Sequence, residues 1–403
     1  MRYRGPDSAL GTFEGYMTDI LLTTYPDHKS RNVGDALITA STVSLLRRKW
    51  PDFDPVVLFR EKSLEGFTKR VRHNVIAPGF SISNGTYPGL YKLFEDLDRI
   101  DGFFPLGCSY QHMDASPAAF LDVSIDAATR AFLTAMAAKH GPFPCRDEMI
   151  VKRLRHFDVP AIYSGDMALF DAERVGTDPV PVPEVPAVAV SLQHGISYLE
   201  QSVELLKAVK KRFPDSRRYV ALHSARSPLA AILEARAKQL GFEPLHLFGA
   251  AEGLDAYGEI DLHIGYRLHA HIHFIRNRKP SVLMVEDARS FGFSRTPGTA
   301  HGCIQASHGR LGDPDEDAVD RAMAFLQTQI ERGFAEYEKV FGFVDATYRS
   351  VIDPAMDRIV EHLRRSKEVS PASREMADEP PDAPDGEATG GTPADEATPS
   401  AQR

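Results

Sequence analysis

Short apolar runs and amphipathic stretches alternate along most of this chain. "DILLTTYP", "VVLFR", "NVIAPGF" and "GFFPLG" read as strands, and "GDALITASTVSLLRRKW", "YPGLYKLFEDLDRI" and "AATRAFLTAMAAKHG" read as helices. The strands are apolar in their central runs rather than alternating, which predicts mostly parallel pairing with both faces buried. After Phe170 the text changes to "DAERVGTDPVPVPEVPA", where Pro and Gly are dense and no period survives, the mark of a linker. A second series follows: strand "AVAVSLQH", helix "SYLEQSVELLKAVKKRF", strand "RYVALHS", helix "PLAAILEARAKQLGF", strand "PLHLF", helix "AEGLDAYGEI", strand "DLHIGY", helix "RLHAHIHFIRNR" and strand "PSVLMVE".

This pattern predicts an α/β protein with two βα domains in tandem, residues 1–172 and 187–310, joined by a linker at 173–186. "DEDAVDRAMAFLQTQIERGFAEYEKVF" reads as one long helix, and a second helical piece ends near Ser366, so residues 311–366 are expected to pack back across both domains. From Glu368 onward there are nine Asp or Glu against two Lys or Arg, with repeated Pro, Ala and Thr, so 367–403 reads as a disordered acidic tail.

Composition narrows the function classes. The chain has 403 residues and a net charge of -9, which argues against general nucleic-acid binding, since phosphate backbones need a basic face. Cys108, Cys145 and Cys303 have no paired spacing, so neither a disulfide framework nor a cysteine zinc site is expected, and a reducing cytoplasm fits. No run is long and apolar enough for a transmembrane segment.

The densest chemistry lies in "GYRLHAHIHFIRNRKP", Gly265 to Pro280. Arg267 follows an apolar strand and opens a helix, where the free N–H groups and the helix dipole favour an anion. Its planar fork suits a carboxylate or phosphate. On a helix, His269 and His273 share a face while His271 points about 160° away, so the three imidazoles do not converge on a metal ion, and no metal is expected. A buried structural ion pair is the alternative reading of Arg267 and His269.

At this point the sequence resembles the polysaccharide pyruvyl transferase family. The resemblance rests on "NVGDALI", "CRDEMIVKRL", "SGDMALF" and "IGYRLHAHIHFIRNRKPSVLMVEDARSFGF". It implies two Rossmann-like domains facing each other across a cleft, as in the GT-B glycosyltransferases. It also implies transfer of a pyruvyl group from phosphoenolpyruvate (PEP) to two sugar hydroxyls as a ketal, in exopolysaccharide or cell-surface glycan synthesis, with no cofactor. Carried over by position, Arg267, Leu268 and His269 form the Arg-Leu-His triplet that binds PEP, and Arg146 adds a guanidinium from the first domain. A surface salt bridge to Asp147 or Glu148 is the alternative for Arg146. His269 is the candidate proton donor to the PEP methylene carbon.

Asp35 in "NVGD" is a candidate for binding or deprotonating the acceptor hydroxyl, or else a capping carboxylate. Asn32 and Gly34 shape that turn. Asp166 contacts the ligand or fixes its loop. The family often carries Tyr-Asp-x-Lys where this chain reads "VEDARSFGF", so Arg289 stands in place of the Lys and is expected to neutralise phosphate rather than donate a proton. Cys108 is expected to be a buried small residue, not a nucleophile. Two other readings stay open: a GT-B glycosyltransferase using a nucleotide sugar, with Glu252 as its ribose-binding acid, and a non-catalytic carbohydrate-binding protein of the same fold.

Overall fold

Asp19–Thr23, the first apolar run, forms a fully buried strand, β1. Asn32 then starts α1 (Val33–Lys49) by accepting the Gly34 N–H at 2.9 Å, which satisfies one of the amides that a helix start leaves free. The computed structural model describes residues 17–24, 31–67, 71–121, 124–225, 227–310 and 313–369. Strands β2 (Val56–Phe59), β3 (His73–Pro78) and β4 (Ile100–Leu106) join β1 in a parallel sheet of order β2-β1-β3-β4. Past α2 (Pro117–Leu121) and α3 (Ala127–His140), the strands β5 (Phe143–Cys145) and β6 (Ala161–Tyr163) pair in parallel around α4 (Glu148–His156). A bridge between Cys108 and Cys145 sets this pair beside β4.

The second half contains β7 (Ala187–Ser191), α5 (Leu199–Arg212), β8 (Arg217–Leu222), α6 (Pro228–Gln239) and β9 (Glu243–His246). It continues with β10 (Leu262–Gly265), α7 (Leu268–Arg276), β11 (Ser281–Val285), α8 (Ala288–Ser294) and β12 (Cys303–Gln305). Its six parallel strands run in the order β12-β11-β10-β7-β8-β9. That is the doubly wound Rossmann order, which reverses between β7 and β10; in the first sheet the reversal falls between β1 and β3. Ligands of open α/β sheets lodge at the carboxyl ends of strands at such switch points.

The two halves touch directly. Val33 N–H donates to the His223 carbonyl at 3.0 Å, Gly249 N–H to the Arg31 carbonyl at 3.0 Å, and Arg276 pairs with Asp171 at 2.9 Å. Of the remaining helices, α9 (Ala318–Glu331) packs on α5, α10 (Glu338–Thr347) follows it, and α11 (Asp353–Val369) returns to α1, where Lys49 holds Asp353 at 2.7 Å and Asp357 at 3.0 Å. The C-terminal helices therefore do pack across both halves. Among the described residues no helix is long and apolar enough to cross a membrane.

Several expectations need correction. "YPGLYKLFEDLDRI" is not an α-helix: Tyr87, ahead of Pro88, is extended at φ -130 and ψ 135, and only short turns form at Thr86–Leu90 and Leu97–Arg99. Ala251–Glu259 is a 3-10 segment rather than an α-helix. The long terminal helix is broken at Gly333 and Phe334, both left-handed at φ 61 and φ 60. The strands β5, β6 and β12 and the helices α4 and α8 were not among the expected elements. Residues 367–369, assigned to the tail, continue α11, and Lys367 pairs with the buried carboxylate of Asp19 at 2.7 Å. The rest of the expected tail, 370–403, lies outside the described residues.

Candidate active site

The second-half switch point is built around Ser191, the last residue of β7. Gly265 closes β10 onto it: the glycine sits at φ +147, and a Cβ there would overlap the Ser191 backbone. The next two amides then fasten to the same serine, Tyr266 N–H to its carbonyl at 3.1 Å and Arg267 N–H to its hydroxyl at 3.0 Å. Arg267 occupies the cap position of α7, and no side chain caps that helix start.

His194, expected within the strand "AVAVSLQH", stands beyond the end of β7 at Ser191. Its Nδ1 lies 2.6 Å from the Glu286 carboxylate, and its Nε2 meets the guanidinium of Arg267. Arg289, on α8, reaches the same Nε2 at 3.4 Å while holding Asp287 at 2.7 Å. Burial opposes ionisation of Asp287, but the Arg289 guanidinium and the Ser290 donors outweigh it and hold that carboxyl well below the ordinary range. Four side chains from three adjacent strand ends thus converge. The signal that located Arg267, a polar residue at a strand's carboxyl end, applied equally to His194.

The first half contributes from across the join. Arg146 follows β5 and Asp166 follows β6, and both are almost fully buried. The Asp166 carboxylate lies 3.5 Å from the Arg146 guanidinium and 3.5 Å from His269 Nε2, so it links the halves. Burial works against its charge; His269 and Arg146 outweigh that and lower its pKa below the usual carboxylate range. The His269 ring also stacks onto Gly34, where any Cβ would overlap the imidazole. Gly34 thereby lets α1 approach α7.

Placement sorts the candidates. Arg146 is 5% exposed, and its Nε lies 3.8 Å from the Asp147 carboxylate, so the pairing with Asp147 is present but buried rather than on the surface. The side chain of Asn32 is the helix cap, so Asp35, one turn on, is not. Asp35 is half-buried: burial pushes its carboxyl up, against the pull of His269, Arg289, Arg60 and Arg146. Leu268 is buried at the start of α7. His271 binds Ser281 at 2.8 Å, and the His273 ring lies 5.7 Å from that of Tyr257, so the three imidazoles of this helix face separate surroundings. Cys108 is fully buried, and Glu252 is exposed.

Several buried polar atoms here sit at ion-pair distances without a hydrogen bond. Nε and Nη2 of Arg146, Oδ2 of Asp166, Nε of Arg267 and Nε2 of His269 are all buried without a hydrogen-bond partner. Native interiors seldom leave such atoms unmet, and each costs about 1–3 kcal/mol when it is. The guanidinium and imidazole nitrogens among them, from both halves, are the kind of groups that an anion with several oxygens satisfies.

Two parallel doubly wound sheets, meeting where both switch points lie, define a GT-B-like α/β protein. The model of the polysaccharide pyruvyl transferase family matches residues 32–287, and the chain belongs to that family. No curated protein matches it in sequence closely enough to count as a relative. Aligned solved structures include the UDP-GlcNAc 2-epimerase from Neisseria meningitidis bound to UDP-GlcNAc, at 10% identity over 86% of this chain and 99% of that one, with a TM-score of 0.41. The S. aureus MnaA-UDP co-structure aligns at 12% identity over 87% and 96%, with a TM-score of 0.43. Accessory secretory protein 1,2 and 3 in Streptococcus pneumoniae aligns at 10% identity over 75% of this chain, with a TM-score of 0.42, and the chain spans 55% of that protein's length. Alignments this distant carry no argument, and the architecture rests on the strand orders themselves.

Proposed function

We propose that the protein transfers the pyruvyl group of PEP to two hydroxyls of a saccharide, forming a ketal and releasing phosphate. The observation that carries this reading is that Arg146 from the first half is joined to His269 through Asp166, while Arg146 and Arg267, two residues before His269, both keep buried guanidinium nitrogens without a hydrogen bond. PEP bears a carboxylate and a phosphate on one small frame, and two planar guanidinium forks suit that pair of anions. Arg289 adds positive charge on the side of Arg267, and Leu268 supplies an apolar wall.

In the reaction, His269 gives a proton to the methylene carbon, leaving a cationic carbon that bears the carboxylate and phosphate. A first hydroxyl oxygen bonds to that carbon and loses its proton to Asp35, whose raised pKa suits a proton acceptor. The carbon–oxygen bond to phosphate then breaks, with the proton on Asp35 passing to the departing phosphate. A second hydroxyl oxygen closes the ketal, and its proton restores His269. Two protons leave the hydroxyls, one ends on carbon and one on phosphate, so the cycle balances. Asp166 holds His269 and Arg146 in register, while Asn32 and Gly34 set the approach of α1.

We place this chemistry in the cytoplasm, on the ground that all three cysteines are free thiols. Thermal shift tests the donor: PEP is expected to raise the melting temperature of the native chain but not of Arg267→Ala, because a ligand of the folded state alone stabilises it. Stabilisation by a nucleotide sugar and none by PEP would overturn the proposal.

A further inference from the structure

The Glu286, His194, Arg267 and Arg289 cluster has a feature that the reaction above does not use. Glu286 is 2% exposed and accepts twice from the His194 backbone N–H, at 3.2 and 3.1 Å, as well as facing Nδ1 at 2.6 Å. A carboxylate accepts only, so Nδ1 carries the ring proton. On the other side, Nε2 meets Arg267 and Arg289. A guanidinium donates only, so Nε2 must offer a lone pair. Both ring nitrogens are thereby assigned, and the imidazole is neutral.

Building on the PEP reading above, we propose that His194 is a positioning residue: its neutral ring, fixed by Glu286, gathers Arg267 and Arg289 into one anion cradle, and protonation of Nε2 takes the cradle apart. A proton on Nε2 would aim a third positive charge at two guanidiniums. The charged groups facing the ring are Glu286 from the end of β11, Arg267 from the start of α7, and Arg289 with its partner Asp287 from the start of α8. Burial and Arg267 lower the histidine's pKa against the opposing pull of Glu286. The neutral, assembled state therefore holds at neutral pH and is lost as pH falls below the ordinary histidine range of about 6.5.

Calorimetric titration of PEP, and of inorganic phosphate, tests this between about pH 5 and 8 with the native chain, His194→Gln and His194→Ala. The PEP phosphate itself takes up a proton near pH ~6, so the informative quantity is the difference between variants. A glutamine oxygen still accepts from the guanidiniums but does not protonate. At neutral pH, His194→Gln is expected to bind PEP within about threefold of native and His194→Ala about tenfold or more weakly, the latter matching loss of one charge-assisted acceptor. On acidification the native chain is expected to lose affinity more steeply than His194→Gln.

Parallel pH profiles for those two proteins would overturn the inference while leaving PEP binding intact, and so would native-like affinity in a folded His194→Ala. If His194→Gln binds PEP normally but its turnover falls by orders of magnitude, Nε2 is a proton acceptor in the reaction and the positioning role is wrong. A folded native chain that binds no PEP at any pH overturns both this inference and the function beneath it.

Discussion

His269 and Asp166 face each other at 3.5 Å across the join between the two halves, and Arg146 approaches the same carboxylate oxygen at 3.5 Å. One acidic side chain from the first half therefore orients the imidazole of the second and balances the charge of a neighbouring guanidinium. Replacing it leaves Arg146 with Asp147 alone, at 3.8 Å, as its carboxylate partner, so the cost should fall somewhat below the about 3–5 kcal/mol of an outright broken buried pair.

Asp166→Asn keeps an oxygen for the Ala168 N–H, which the native carboxylate accepts at 2.9 Å, so the local turn should survive. The variant is expected to unfold about 2–4 kcal/mol more easily in urea at neutral pH. Because the native carboxyl titrates below its ordinary range, its contribution is complete above the unfolded value near ~3.9 and fades as pH falls through the lower folded value. The gap between native and variant should therefore narrow in acid. A gap independent of pH would contradict the ion-pair account.

Asp147 behaves in the opposite sense. It caps α4 by accepting the Ile150 N–H at 2.9 Å, but burial pushes its carboxyl up to about 6 against the pull of Arg146. A raised folded pKa means that the native state favours the protonated form, so stability is lost as pH rises from about 4 through 6. Asp147→Asn retains the cap and is expected to melt higher than native at pH ~7.5, by roughly 1–3 kcal/mol of stability, with no difference below pH ~4. Scanning calorimetry at the two pH values checks the sign.

Gly34→Ala should separate fold from function. Its methyl would overlap His269, and relieving that displaces the imidazole or α1, at a cost typical of overpacking, about 1–3 kcal/mol. Phosphate release from PEP is expected to fall at least about tenfold, since small displacements of reacting groups are costly. Asn32→Ala removes only the helix cap and should cost about 1 kcal/mol. Wild-type turnover in a folded Gly34→Ala would show that the close approach of the two helices is immaterial.

The sequence was most legible where periodicity and burial agree. The largely apolar runs of β1, β7 and β11 announced parallel strands, and Arg267 announced itself as a polar residue where a strand gives way to a helix. Pro88, and the paired left-handed residues Gly333 and Phe334, interrupted helical patterns whose periodicity alone predicted continuous helices. Short β5 and β6 carry three residues each, too few for a period to register, although they deliver Arg146 and Asp166. His194 was hidden because its meaning depends on Glu286, which is distant in sequence and adjacent only once β7 and β11 flank β10. The role of Asn32 as the cap, and not Asp35, likewise depends on where the first helical turn begins.

Phosphate release from PEP with a panel of saccharide acceptors, compared between native protein and His269→Gln at neutral pH, tests the central claim most directly. The account predicts acceptor-dependent release by the native chain and a fall of about 10²–10⁴-fold in the variant, with PEP affinity within a few-fold, as expected on removing a positioned proton donor. Equal release by the two proteins would contradict it.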